Sequence, residues 1–263
     1  MINLIQNTIG ALGRSGGGGG DTTSFITTWR TTTASESITI PTTGTGYNYA
    51  ISTSDGQTFS GLTGDKTITF TNAGDYDISI SGDFPTIQFA GGGDKLKLID
   101  IKQWGNIAWS LFGSSFYGCS NMGGSFTDTP NLSGVVDMSQ AFRGATSFNV
   151  SIDNWDFSTI TSMYAMFYQL SSYNQSLGGL DISNVGSMSY LLSSSTLSAT
   201  NYDSTLIGWE ATLQAAFPSG TGYTPTINVH FGSSKYTGGG AAATARASLI
   251  SNFGWTITDG GIA

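Results

Sequence analysis

The sequence predicts a mainly β protein: an N-terminal antiparallel β-sandwich, a short leucine-rich-repeat-like solenoid, and an α/β C-terminal cap. Three observations carry that prediction. Short β-rich runs alternate with turns from Phe25 to about Phe89, apolar positions recur every 25 residues between about 104 and 204, and helical and strand-like patterns share the remainder. The expected boundaries are 1–22 for an anchor helix and tether, 23–98 for the sandwich, 99–204 for the solenoid and 205–263 for the cap.

Composition sets the outer limits. The 263 residues carry 17 acidic and 9 basic side chains, a net charge of −8 with a pI near 4.3, which argues against nucleic acid as the main partner. Hydrophobic residues reach 38% and aromatic ones 12%, enough to build a core. No apolar run approaches the ~18 residues of a membrane span. Cys119 is the lone cysteine, so an intramolecular disulfide is impossible, and with a single histidine, His230, no Cys/His zinc site can form.

At the N-terminus, Ile2, Ile5, Ile9 and Leu12 stand at spacings of three, four and three, the apolar seam of a short helix. Isolated helices below ~12–15 residues rarely hold in water. This one therefore needs a groove on a partner or further copies of itself; the alternative is a frayed tail. Gly16 to Gly20 form a swivel between the anchor and the body of the chain. No basic residue precedes Arg14 and no long apolar core leads to a small-residue cleavage site, so residues 1–14 do not read as a secretory signal.

The sandwich is expected from SITI before Pro41, YNYAI at 47–51, KTITF at 66–70, DYDISI at 75–80 and TIQF at 86–89. These runs alternate with a period of two and are separated by Gly-rich or Asn/Asp turns. In the repeats, Met138, Met163 and Met188 keep a step of 25, as do Phe142, Phe167 and Leu192; Leu132, Phe157 and Ile182; and Val135, Ile160 and Val185. Phe116 and Met122 lie 26 residues before Phe142 and Phe148, which makes a fourth, slightly longer unit. A period of about 20–29 residues with recurring apolar positions describes coils that bury their apolar sides only against neighbours. Such a stack needs a terminal unit. Asp203 is placed as N-cap of a helix carrying Leu206, Ile207, Leu213 and Phe217 and stopped by Pro218; INVHF, AAATARASLISNF and GWTIT supply a strand, a helix and a last strand.

These residues resemble the BspA-like leucine-rich-repeat surface proteins. The resemblance rests on the aromatic-Asn pairs Phe148-Asn149 and Tyr173-Asn174, on Trp155-Asp156, and on the box from Met163 through Met166 to Phe167. The flanks FITTWRT at 25–31, AGDYDISISGDFPTIQF at 73–89, IKQWGNIAW at 101–109, STLIGWE at 204–210 and GWTITDGG at 254–261 are similar to that family too. The A-G-D-Y at 73–76 further resembles the last strand of polycystic-kidney-disease-type sandwich domains. What the resemblance implies is adhesion, with no cofactor and no catalysis; genes of this type also occur in bacteriophages.

The residues that could carry chemistry agree with that implication. Gly13, Ser15 and Gly17 fit G-x-S-x-G, but a glycine tether stands where the elbow needs a strand and a helix. No phosphate-binding glycine motif occurs. Asp153 and Asp156 lie close on one repeat edge, yet an open stack has no closed cleft to raise one of them for acid catalysis, so Asp156 and Asp181 read as turn carboxylates accepting backbone N–H bonds. His230, in an apolar strand with no nucleophile or acid identifiable beside it, reads as a hydrogen-bonded structural imidazole, and Cys119, at the position of Ala145, as a small buried hydrophobe. Tyr164, Tyr168 and Tyr190 alternate with core Met and Phe: either they face out beside Ser and Asn to contact a glycan or protein, or they fill the gap between coils.

The function expected from these features is non-enzymatic attachment: a bacteriophage virion protein on the head or in a tail fibre or spike, its N-terminal helix docked in a capsid or tail partner and its body meeting a host surface glycan or protein. The alternative is a bacterial cell-surface adhesin. Neither requires a cofactor, a metal or a membrane span, and the anchor helix leaves room for a homo-oligomer.

Overall fold

The computed structural model describes residues 21–263; the expected anchor positions Ile2, Ile5, Ile9 and Leu12 and the Gly16–Gly20 tether lie outside the described residues. The described chain is mainly β. Its strands are β1 (Phe25–Thr31), β2 (Glu36–Ile40), β3 (Asn48–Thr53), β4 (Thr58–Leu62), β5 (Lys66–Phe70), β6 (Gly74–Asp83), β7 (Leu98–Gln103), β8 (Gly123–Gly124), β9 (Asn228–His230) and β10 (Thr256–Thr258); its helices are α1 (Ala199–Ala216) and α2 (Ala241–Ser251).

Period-two patterning places the N-terminal strands. Ile38 and Ile40 of β2, Ile68 and Phe70 of β5 and Ile78 and Ile80 of β6 are buried and the residues between them less so, whereas the central strand β1 buries Thr27 and Thr28 along with Phe25 and Trp29. A six-stranded sheet runs β4-β3-β6-β1-β7-β8, and β2 pairs with β5 separately. The large sheet is antiparallel apart from β7 and β8, which run parallel. Side chains from both sheets join one apolar cluster with those of the repeat units.

Two details of this N-terminal region differ from the expectation. TIQF at 86–89 is not a strand: Gln88 N–H donates to Pro41 O and Phe89 N–H to Ser115 O, so this run is tied to single partners and has no ladder. The large sheet also continues past residue 98, because β7 pairs along β1 and β8 brings in the first repeat unit.

From residue 112 onward the chain makes the same turn four times, at 112–119, 138–145, 163–170 and 188–195. The turns of successive units are joined by backbone bonds. Ser114, Phe116 and Gly118 donate to the carbonyls of Ser139, Ala141 and Arg143; Gln140, Phe142 and Gly144 donate to Tyr164, Met166 and Tyr168; Ala165, Phe167 and Gln169 donate to Ser189, Leu191 and Ser193. Parallel bridges from Asp137 to Ser162 to Ser187 add a second line of pairing. Each turn holds two residues in the left-handed region: Ser114, Gln140, Ala165 and Tyr190 at one position, and Gly118, Gly144, Gln169 and Ser194 four residues on. Glycine tolerates that conformation without penalty, whereas the other side chains are strained by roughly 1–2 kcal/mol each.

Inside the stack, aromatic rings lie nearly parallel. Phe116, Phe142 and Phe167 follow one another at 5.6 and 6.0 Å, Phe148 sits 4.6 Å from Phe142, and Tyr173 sits 4.7 Å from Phe167. At the edges, polar side chains repeat the step. Asn131, Asp156 and Asp181 each accept from the backbone N–H two residues on, and Asn149 Oδ1 accepts from Asn174 N–H while Asn174 Oδ1 accepts from Ser198 N–H.

The C-terminal part closes the last unit. Leu192 N–H donates to His230 O of β9, which pairs in parallel with β10, and Leu197 N–H donates to Ser234 Oγ. Helix α1 is capped by Ser198, whose side chain accepts from Asn201 N–H, and not by Asp203. Asp203 instead accepts from Thr237 N–H, tying α1 to the segment before α2.

Candidate functional site

The turns of the second, third and fourth units place side chains on one face. Arg143 and Tyr168 occupy the same turn position as Tyr117 of the first unit, so the three form a column across the stack. The Arg143 guanidinium lies 4.7 Å from the Tyr117 ring centre and 5.0 Å from that of Tyr168. Tyr164 and Tyr190 come from neighbouring turn positions, and their rings meet edge to face at 5.9 Å. Arg143, Tyr164, Ala165, Tyr168 and Tyr190 line a shallow concavity of roughly 230 Å³.

The structure therefore brings Tyr164, Tyr168 and Tyr190 together, in two environments. Tyr190 and Tyr164 are exposed, at 54% and 38%, while Tyr168 is half-buried against Arg143. Tyr190 holds a left-handed backbone at φ 60°, a conformation that residues other than glycine rarely adopt.

Arg143 is the member of this face that sequence reasoning missed. Its signal is plain in retrospect: it is the only Lys or Arg between Lys102 and Lys235. Its Nη1 donates to Gln140 Oε1 at 3.0 Å, its Nε is buried without a hydrogen-bond partner, and it takes part in none of the salt bridges among the described residues. The other two arginines among the described residues do have carboxylates, Arg30 with Asp75 and Arg246 with Asp259.

Of the residues weighed for chemistry, His230 lines a neighbouring cavity with Ser189 and Tyr190, and none of them lines the concavity around Arg143. Asp153 Oδ1 accepts from Gly179 N–H at 2.9 Å. The side chain and backbone N–H of Ser158 both bond Asp156 and hold its carboxyl below the usual range, the opposite of what a general acid needs. His230 Nδ1 accepts from Gly232 N–H at 3.0 Å. Cys119 is fully buried, and burial pushes its thiol far up, away from the thiolate that reactive cysteines require. Among the described residues no group of three His, Cys, Asp or Glu side chains is placed to hold a metal ion, and no helix is long and apolar enough to cross a membrane.

What fold and face define together is a stack of 25-residue units, closed at one end by an α/β segment and carrying an aromatic-lined concavity on its turns. Residues 96–217, which span the repeat units and α1, match a family described as "Mycoplasma protein of unknown function, DUF285". No curated protein and no solved structure matches the chain.

Proposed function

We propose that the protein is a non-enzymatic attachment protein of a bacteriophage virion, carried on the head or in a tail fibre or spike, that meets the host cell surface through the turn face of its repeats. In this reading the two N-terminal sheets form a small sandwich and the stacked units a BspA-like, leucine-rich-repeat-like solenoid. The observation that carries it is the grouping of Tyr164, Tyr168 and Tyr190 around one shallow concavity on the stacked turns. Aromatic rings with polar tips give contact area at small entropic cost, and stacked turns can vary in their outward side chains without disturbing the core.

The N-terminal seam of Ile2, Ile5, Ile9 and Leu12, followed by five glycines, supports docking of that end in a capsid or tail protein. A chain lacking residues 1–14 is expected to fold and yet fail to enter particles; normal incorporation would refute the docking role. The match of residues 96–217 to a family described from Mycoplasma favours a second reading, a bacterial cell-surface adhesin using the same face. Immunogold labelling separates the two: signal on particles supports the virion protein, and signal on cells grown without phage supports the adhesin.

A further inference from the structure

We propose that the concavity around Arg143 binds the carboxylate of an acidic sugar, such as a uronic acid within a surface polysaccharide. This rests on the reading of the turn face as a recognition surface and names its ligand class.

Arg143 is a lone cation in a long acidic stretch, and every other arginine among the described residues has a carboxylate partner. All 17 Asp and Glu residues lie within the described chain, and none forms an ion pair with Arg143. The guanidinium is nonetheless held in place, between the rings of Tyr117 and Tyr168 and by the bond to Gln140. A planar fork of five N–H donors matches a carboxylate through two parallel bonds; in Arg143 one Nη1 bond goes to Gln140, the buried Nε has no acceptor, and the guanidinium lines the concavity with no other acceptor among the described residues. A pre-ordered, undersatisfied arginine loses little freedom when an anion arrives.

The choice of anion and of what carries it rests on the surroundings. One guanidinium supplies one positive charge, and the chain's net charge of −8 opposes multiply charged ligands, so a singly charged carboxylate fits better than a phosphate dianion. The concavity, at roughly 230 Å³, is smaller than the ~300–1,000 Å³ of drug-sized sites and suits a single ring of a longer chain that continues into solvent. Tyr164 and Tyr190, exposed and set edge to face beside the cation, offer an apolar ring face to sugar C–H groups and hydroxyls to its polar rim.

The test uses the full chain, with NMR titration of methyl glucuronide, methyl glucoside and inorganic phosphate. Methyl glucuronide is expected to shift the resonances of Tyr164, Tyr168 and Tyr190 and to bind at least tenfold more tightly than methyl glucoside, with the advantage shrinking as salt rises. Arg143→Gln should abolish the difference between the two sugars. Should that variant fail to fold, Arg143→Lys keeps the charge and loses the fork, and is expected to reduce the preference severalfold, while Tyr190→Ser should weaken both sugars alike. Equal binding of acid and neutral sugar, or a preference unchanged in the Arg143 variants, would overturn the proposal. Phosphate binding as tight as glucuronide would overturn the sugar-acid assignment. These outcomes leave the recognition face standing, because that reading falls only if Tyr164→Ser with Tyr190→Ser leaves attachment to the cell surface intact.

Discussion

Phe142→Ala should be among the most damaging single changes in the repeats. The side chain has no exposed surface and lies within 4.6–6.2 Å of the rings of Phe148, Phe116, Phe167, Trp155 and Phe112. Truncating a buried Phe typically costs about 3–5 kcal/mol through lost burial and the cavity left behind. Stacked aromatic partners add roughly 0.5–1.5 kcal/mol per pair, and the neighbouring units are held in register by backbone bonds, so little collapse into the cavity is available. The upper half of the range, about 4–5 kcal/mol, is therefore expected. In urea, with a slope of about 2 kcal/mol/M, the midpoint should drop by roughly 2 M at unchanged slope. Ser171→Ala, exposed in the next unit, serves as control and should stay within about 0.5 kcal/mol of the parent. A loss below about 1 kcal/mol for Phe142→Ala, or equal losses for both, would refute the ladder as the source of stability.

Other consequences are as specific. The Tyr173 hydroxyl is buried with no hydrogen-bond partner, and the ring occupies the position that Phe148 fills one unit earlier, so Tyr173→Phe should raise stability by about 1–2 kcal/mol in thermal unfolding. Gly232 has φ 60°, and a Cβ there would collide with the Ser195 carbonyl at the junction of the last repeat and the closing segment. Gly232→Ala is expected to cost at least about 2 kcal/mol and to speed hydrogen exchange in β9 and β10. Acid should destabilise the fold through at least two carboxylates. Backbone N–H bonds from Thr32, with Lys97 and Thr33, hold the Glu36 carboxyl at about 2, so its contribution is full above the ordinary glutamate range near 4.5 and is lost as pH falls toward 2. At Asp259 burial would raise the carboxyl, but bonds from Arg246, Tyr202 and Gly261 outweigh it and hold it low, so that contribution too is present above about pH 4 and lost below. Glu36→Gln and Asp259→Asn should each flatten the fall in stability with pH, and an unchanged profile would contradict the assignment.

Much of the fold is legible in the sequence because it is written in burial. The step of 25 shows there since Met138, Met163 and Met188, or Phe142, Phe167 and Leu192, meet the same apolar demand in each unit. The left-handed turn positions are not legible: Ser114, Gln140, Ala165 and Tyr190 share a conformation and no chemistry, and none is glycine. The N-cap of α1 lies five residues before the expected one because two residues there can cap a helix. Ser198 does so, and Asp203 is drawn to Thr237 N–H by tertiary packing. Of the candidate face, the exposed tyrosines are foreshadowed by their alternation with core positions. Arg143 is not, since its meaning depends on Tyr117 and Tyr168, one unit away on either side, and on the absence of a carboxylate that only three-dimensional placement reveals.

Whether the tyrosine face recognises a surface decides the most. Full-length protein and the folded double variant Tyr164→Ser, Tyr190→Ser should be incubated with purified host surface polysaccharide, scoring both retention of the protein and release of sugar fragments. Recognition without chemistry predicts saturable retention of the parent, its loss in the variant, and no fragments from either. Equal retention of both proteins would move the binding site elsewhere, and fragment release abolished by Asp153→Asn would contradict the non-enzymatic reading.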